Sequence, residues 1–200
     1  TLCIASIYII SKQSREKIIL MCLDGATWDI INPMIEKGEL PNIKKMMKEG
    51  TSGKLMAEPP QSPQSWASII TGMGQEKHGV YNFVCAIKKK PLWNILGEKG
   101  MKVGIIYWLN TYPAEKVNGF LIPGFSYWAP NTSENEKQNA YYPKGIKDEL
   151  ERVFDFYKLP DIPETLFHPE LHKMIEAYDK KLFKIILYME KKYRPDFTAI

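Results

Sequence analysis

Lys17–Leu23 (KIILMCL) is a short apolar run that stops at Asp24-Gly25. An unbroken run of this length predicts a strand buried on both faces, as in parallel sheets. A helical stretch follows from about Trp28 to Lys37, bent or divided by Pro33 and ended by Gly38. Leu40-Pro41-Asn42 opens another helix over Ile43–Glu49, closed by Gly50. Ser52–Ala57 reads as a second, shorter strand. Glu58–Gln61 (EPPQ) is excluded from regular structure, because paired prolines hold the chain extended. Ser62-Pro63 then starts a helix, with Ser62 in the favoured N-cap role and Pro63 as first helical residue. Trp66, Ile69 and Ile70 give it a helical apolar spacing, and Gly72 is its stop.

Pro91–Lys99 predicts a helix with Gly100 just past it, and Lys102–Trp108 (KVGIIYW) the next buried strand. Helix, glycine, strand is the order that parallel α/β folds require. From Asn110 onward the chain becomes rich in Pro, Asn, Gly, Tyr and Trp. We read residues 110–168 as a cap-like insertion over one end of the sheet, carrying one short helix near Lys144–Phe156. Glu170–Lys192 is the longest predicted helix. Leu171, Ile175, Tyr178, Leu182, Ile185 and Ile186 recur at three- and four-residue steps and form one apolar stripe. Phe197–Ile200 opens a last buried strand and stops mid-element. The expected fold class is therefore α/β, a mostly parallel central sheet flanked by helices and cut short at the C-terminus.

The first ten residues, Thr1–Ile10, are almost wholly apolar and begin without Met. Ten residues are too few to span a bilayer, which takes about 20. They fit the remnant of a signal or of a membrane anchor lying upstream of Thr1, with the polar residues to position 16 as a linker. A plain N-terminal strand or helix fits them equally. The first option implies a membrane-anchored or extracytoplasmic protein and the second leaves a cytoplasmic one. Residues 17–200 would then belong to one domain.

Composition narrows the function classes. The 200 residues are 44% hydrophobic and 25% charged, which excludes collagen-like, coiled-coil and wholly disordered chains. A net charge of +4 without a basic block gives no nucleic-acid-binding signal. Cys3, Cys22 and Cys85 are odd in number and widely spaced, so they suggest neither a disulfide framework nor a zinc knuckle. Cys22, inside an apolar run, reads as a buried thiol. Asn131-Thr132-Ser133 is a glycosylation sequon of the kind that arises by chance.

Two residues carry candidate chemistry. Asp24 ends a buried strand, and ligands in open α/β sheets gather at the carboxyl ends of strands. A carboxylate there suits a divalent cation; the plainer reading is that it caps the next helix. Ser62 stands after a rigid Pro-Pro turn at a helix N-terminus, where unpaired N–H groups favour an anion or a developing alkoxide. The plainer reading is that Ser-Pro merely starts a helix. His168 and His172 are four apart, but Pro169 sets them apart structurally and no third ligand is near. Trp108, Tyr112, Tyr127 and Trp128 fit base or sugar stacking, and fit the core better.

Leu23-Asp24-Gly25, Gly38-x-Leu40-Pro41-Asn42, Gly50, Pro59-Pro60-x-Ser62-Pro63-x-x-Trp66-x-Ser68-x-x-Thr71-Gly72 and His78-Gly79 form one ordered series. The series resembles the N-terminal half of the type I phosphodiesterase/nucleotide pyrophosphatase family, within the alkaline phosphatase superfamily. It looks closest to the branch described as predicted phosphohydrolases or phosphomutases, and Trp108 with Thr111-Tyr112-Pro113 and Gly119-Phe120 fits that branch too. The resemblance is good over roughly residues 17–125 and loose beyond.

It implies an alkaline-phosphatase-like α/β fold, a small-molecule phosphoester substrate and two divalent metal ions, usually zinc. Asp24 matches the family's metal-binding Asp. Ser62 matches the nucleophile, which also binds that metal, attacks phosphorus in line and becomes a phosphoserine. Asn82 lies one residue from the position of an Asn that holds a phosphoryl oxygen, and is the candidate substrate-binding residue. His78 takes a structural place in its motif. The family's remaining ligands, an Asp-x-x-x-His, an Asp-His pair and a last His, are not in these 200 residues. The piece alone is therefore expected to be inactive. Two other readings of the same resemblance are a degenerate, non-catalytic binding or structural domain, and a phosphomutase or phosphotransferase. Substrate identity and oligomeric state have no signal in the sequence.

Overall fold

The apolar runs become neighbouring strands. The computed structural model describes residues 4–12, 14–124, 140–154 and 170–200, with side chains described from Lys17 onward. Within them the sheet contains β1 (Ile4–Lys12), β2 (Ser14–Leu23), β3 (Val103–Trp108), β4 (Gly119–Pro123) and β5 (Phe197–Ala199), in the spatial order β1-β2-β5-β3-β4. β2, β5, β3 and β4 run parallel, and β1 is an antiparallel edge strand on β2. The fold is thus α/β with a mostly parallel central sheet. The helices are α1 (Trp28–Glu36), α2 (Pro41–Glu49), α3 (Ser62–Thr71), α4 (Gln75–His78), α5 (Leu92–Glu98), α6 (Ile146–Phe154) and α7 (Leu171–Tyr193).

Both faces are covered at β3 and β4, which is why those strands are apolar throughout. β2 departs from the expectation for Lys17–Leu23: only its Leu20/Cys22 face is buried, while Met21 and Leu23 on the other face are 40% and 43% exposed, because α6 and α7 pack over β3 and β4 and leave that face of β2 without a covering apolar layer. Leu20, Cys22, Val103, Ile105, Leu121, Phe197 and Ala199 meet Trp66 and Ile70 of α3 and Trp93 of α5 on one face. Ile106, Phe120 and Ile122 meet Ile146 and Leu150 of α6 and Ile185 and Met189 of α7 on the other. The predicted stripe of α7 reaches the sheet through Leu182, Ile185 and Ile186, while Ile175 remains 44% exposed.

β5 does not lie at an edge, although it closes the described chain. It is wedged between β2 and β3, pairing Ile18 with Phe197 and Val103 with Phe197. Asp196 pins its start, with its Oδ2 accepting the Lys102 N–H at 2.8 Å. Glu190 of α7 accepts from Lys17 and from the Thr198 hydroxyl, joining that helix to β2 and β5.

β3 carries one bulge. Ile106 pairs with Ile122 and Trp108 with Pro123, so Tyr107 is an extra residue, at φ 57°. The insertion resets the alternation. Trp108 consequently joins Ile105 on the α3/α5 face rather than following Ile106. There it is fully buried between Trp66 and Trp93, ring centroids 4.9 and 5.9 Å away, both edge-on. The core reading of Trp108 holds; Tyr112 is half-buried against the opposite core, and Tyr127 and Trp128 lie outside the described residues, as does the sequon.

Three further expectations are corrected. Ser52–Ala57 forms no strand: it has no neighbouring strand, and Leu55 and Met56 are 57% and 85% exposed. Gly119–Pro123, read as part of the insertion, is a buried strand of the sheet. Its three apolar residues are too few to stand out between Gly119 and Pro123-Gly124. Ser62 is not an N-cap, as the next subsection shows. The N-terminal apolar stretch is strand over Ile4–Lys12. Among the described residues no helix is long and apolar enough to cross a membrane.

Trp108 joins β3 to α3 and α5 near the end of the sheet at which Asp24 lies. Trp108→Ala is expected to lower the unfolding free energy by about 3–5 kcal/mol, the usual cost of emptying a buried Trp site. Urea denaturation checks this, and a loss below about 1 kcal/mol would mean that the cluster is not structural.

Candidate active site

Parallel strands put their carboxyl ends along one edge, and the candidate residues collect there. β2 ends at Leu23, and Asp24 follows directly. Gly25, at φ 72°, supplies the left-handed turn that lets the chain leave the sheet for α1. The cap of α1 is Thr27, whose hydroxyl accepts the Asp29 N–H at 3.5 Å. Asp24 is therefore not a helix cap, and its carboxylate is exposed at the strand's end.

Ser62 reaches the same place from α3. The N-cap position belongs to Gln61, Ser62 is the first helical residue, and no side chain caps this helix. Its hydroxyl donates instead to the Asp24 carboxylate, 3.0 Å from Oδ1 and 3.1 Å from Oδ2. The turn before the helix is held on one carbonyl: Pro59 accepts the Gln61 N–H at 2.8 Å and the Ser65 hydroxyl at 3.1 Å. Burial of Trp66, Ala67 and Ile70 fixes the helix against the sheet. Gly72 ends it in the left-handed conformation, its N–H bonding the Ser68 carbonyl. Ser62 and Asp24, 38 residues apart in sequence, are so brought together.

The third candidate, Asn82, sits on the loop between α4 and α5. Its Oδ1 accepts the N–H groups of Val84 and Cys85 at 3.0 and 3.1 Å, closing a local turn. That turn is the residue's own work; the Nδ2 group donates to no described residue. Gln64, two residues after Ser62, donates from Nε2 to the Tyr81 carbonyl at 2.9 Å and lays this loop beside the first turn of α3. Gln64 is a residue that sequence reasoning missed, since nothing in a lone Gln signals a long-range amide clamp.

His78 is structural. It is fully buried. Its Nδ1 accepts the Val80 N–H at 3.1 Å, so the ring is neutral with its proton on Nε2, which donates to the Ser68 hydroxyl at 3.1 Å. Its carbonyl accepts the Lys88 N–H at 2.9 Å. The loop from Val80 to Lys88 is thus closed at both ends on one histidine. Of the other candidates, His168 lies outside the described residues and His172 is exposed on α7. Cys22 is buried in the sheet.

Asp24 and Ser62 offer two oxygen donors about one hydrogen-bond length apart, a fit to one side of a divalent cation's coordination shell. Among the described residues no group of three or more His, Cys, Asp or Glu side chains converges on a metal position. The pair supplies part of a metal site and not a whole one, since such ions take four or more ligands.

A family model described as Type I phosphodiesterase / nucleotide pyrophosphatase matches residues 18–200. No curated protein and no solved structure matches the chain significantly.

Burial holds the His78 imidazole below its ordinary pKa of 6.5, and the Glu76 carboxylate opposes this only in part. The unfolded chain therefore takes up a proton near pH 6.5 that the folded chain refuses, and stability falls as pH drops through that value. Above it the term vanishes. His78→Asn is expected to cost about 1–3 kcal/mol at pH 7.5 and to lessen the decline seen between about pH 7.5 and 5.5. Urea titrations at the two pH values test this; an undiminished decline in the variant would refute it.

Proposed function

Because the chain belongs to the type I phosphodiesterase/nucleotide pyrophosphatase family, a family of phosphoester hydrolases, we propose that it hydrolyses a small-molecule phosphoester through a covalent phosphoserine at Ser62. The observation that carries this reading is the Ser62 hydroxyl held on both oxygens of Asp24. A serine on the first turn of a helix faces an anion with the helix's unpaired N–H groups beside it. The N–H of Ser62 belongs to that set, whereas Pro63 has none to give.

Members of this family generally depend on divalent metal. Asp24 and Ser62 are the residues here that would hold an ion, and a bound ion would lower the pKa of the serine hydroxyl and offset charge developing on phosphoryl oxygens. Zinc is our choice within that class. The chain's own part is positional. Asp24 aims the Ser62 oxygen and accepts its hydrogen bond. α3 presents its positive end to the phosphoryl group. Asn82, with an uncommitted carboxamide donor, holds one phosphoryl oxygen as charge builds on it. Attack by the Ser62 oxygen forms the serine–phosphorus bond as the bond from phosphorus to the leaving oxygen breaks; the Ser62 hydroxyl proton passes to solvent, and the leaving alkoxide takes up a proton from solvent in exchange. Water then cleaves the phosphoserine and returns the proton to Ser62.

In the full-length natural protein supplied with zinc, Ser62→Ala is expected to reduce turnover of p-nitrophenyl phosphoesters by about 10³-fold or more. Acid-quenched wild-type protein should carry one phosphoryl group on the peptide containing Ser62, read by mass spectrometry. The 200-residue chain alone should show no turnover. Retained activity in Ser62→Ala, or clear Ser62-dependent turnover by the 200 residues, would count against the respective part of this reading.

A further inference from the structure

The loop that carries Asn82 is held from a second side. Asn110 follows β3 by two residues and stands at φ 61°, a left-handed conformation that Asn tolerates and most residues do not. The chain turns there, and the side chain is directed at the loop between α4 and α5. Asn110 Nδ2 donates to the Asn82 carbonyl and to the Cys85 carbonyl, 2.8 Å each. These are the two ends of the turn that Asn82 closes with its own Oδ1. The Asn110 Oδ1 is buried and accepts from no described residue. Both polar contacts of the side chain therefore go to this one turn.

We infer that Asn110 is a positioning residue for the phosphoryl-oxygen site: it fixes the Asn82–Cys85 turn so that the Asn82 carboxamide presents its N–H donors to substrate. The inference rests on the role of Asn82 proposed above. The mechanism is geometric. With Oδ1 tied to two backbone N–H groups, the direction of Nδ2 follows the turn as a rigid unit. Gln64 holds that unit at Tyr81 from the α3 side and Asn110 holds it at Asn82 and Cys85 from the β3 side. The two clamps tie the turn to α3, which carries Ser62, and to the residue that follows β3, both elements of the same core. Removing one clamp frees the donor to wander, and a misplacement of about 1 Å at such a group costs on the order of 10²-fold in rate. A carboxylate cannot replace the amide, because it has no hydrogen to give to either carbonyl.

The clean variant is Asn110→Gly, which removes the side chain and keeps the backbone conformation available. The experiment measures kcat and KM for bis(p-nitrophenyl) phosphate with the full-length zinc-loaded protein, as wild type, Asn110→Gly, Asn82→Ala and the double variant. Asn82→Ala should lower kcat by about 10²-fold. Asn110→Gly should lower kcat by about tenfold or more with KM moved less than about twofold. The double variant should match Asn82→Ala within about twofold, because Asn110 acts only through Asn82. Losses that multiply in the double variant, or an Asn110→Gly enzyme within about twofold of wild type, overturn the inference. Should Asn110→Gly fail to fold, Asn110→Asp keeps the turn-forming residue shape, removes both donors and carries the same cycle. Ser62→Ala, run alongside, separates the two levels: if it stays active the phosphoserine reading falls and this inference with it, whereas an inactive Ser62→Ala with multiplicative losses sinks the positioning role alone.

Discussion

The Ser62 hydroxyl donates to both oxygens of Asp24 across 38 residues of intervening chain, and much of the structure is arranged around that contact. A serine–carboxylate bond in an exposed position is worth about 1.5–3 kcal/mol at most, too little to organise the 38-residue connection by itself. The scaffold places the two groups, and the bond reports the placement. Asp24 is placed by the end of a parallel strand anchored in the core by Leu20 and Cys22. Ser62 is placed by a helix whose Trp66, Ala67 and Ile70 are buried against the sheet. Close packing resists small shifts of α3 and of the buried part of β2, and the two groups ride on those elements.

The two faces of the sheet divide the work. The α3/α5 face carries the site: its core continues through Trp66, Trp108 and Trp93 to the edge at which Asp24 and Ser62 meet. The α6/α7 face contributes support. Glu149 of α6 accepts from Tyr188 and Lys192 of α7, which holds its pKa below the ordinary carboxylate range despite an opposing desolvation cost. Glu190 extends the same support to β2 and β5 through Lys17 and Thr198. Asp24 lies just beyond the end of β2, so polar contacts remote from the site help to fix the strand that carries it.

The elements most legible in the sequence were those whose signal is local. β2, β3, α3, α5 and α7 follow from apolar runs, proline and glycine punctuation and helical spacing. Asp24 and Ser62 were legible because their neighbours are constrained: a strand end before Gly25, and a helix start after Pro59-Pro60. What failed was non-local. Ser52–Ala57 has strand-like residues but no edge to pair with, and pairing decides a strand. Gly119–Pro123 has a short and ordinary run, but β3 offers it an edge. Ser62 looks like an N-cap because serine caps well. It does not cap here because Gln61 takes the N-cap position and the Ser62 hydroxyl is turned to the Asp24 carboxylate instead.

The loop from Val80 to Lys88 shows why site geometry is harder to read than fold. It contains no regular pairing that would announce its shape, and it is held by individual side chains: the His78 ring at Val80, Gln64 at Tyr81, and Asn110 at Asn82 and Cys85. Each of these residues is bland on its own. Each acts on a backbone group distant in sequence or shielded from water, where one satisfied amide is favoured over an orphaned one. A segment fixed in this way can present a donor where a helix or strand could not, since its direction is set point by point rather than by a repeating geometry. The same construction makes it dependent on single side chains, so its precision can be lost one residue at a time while the sheet beneath it stays intact.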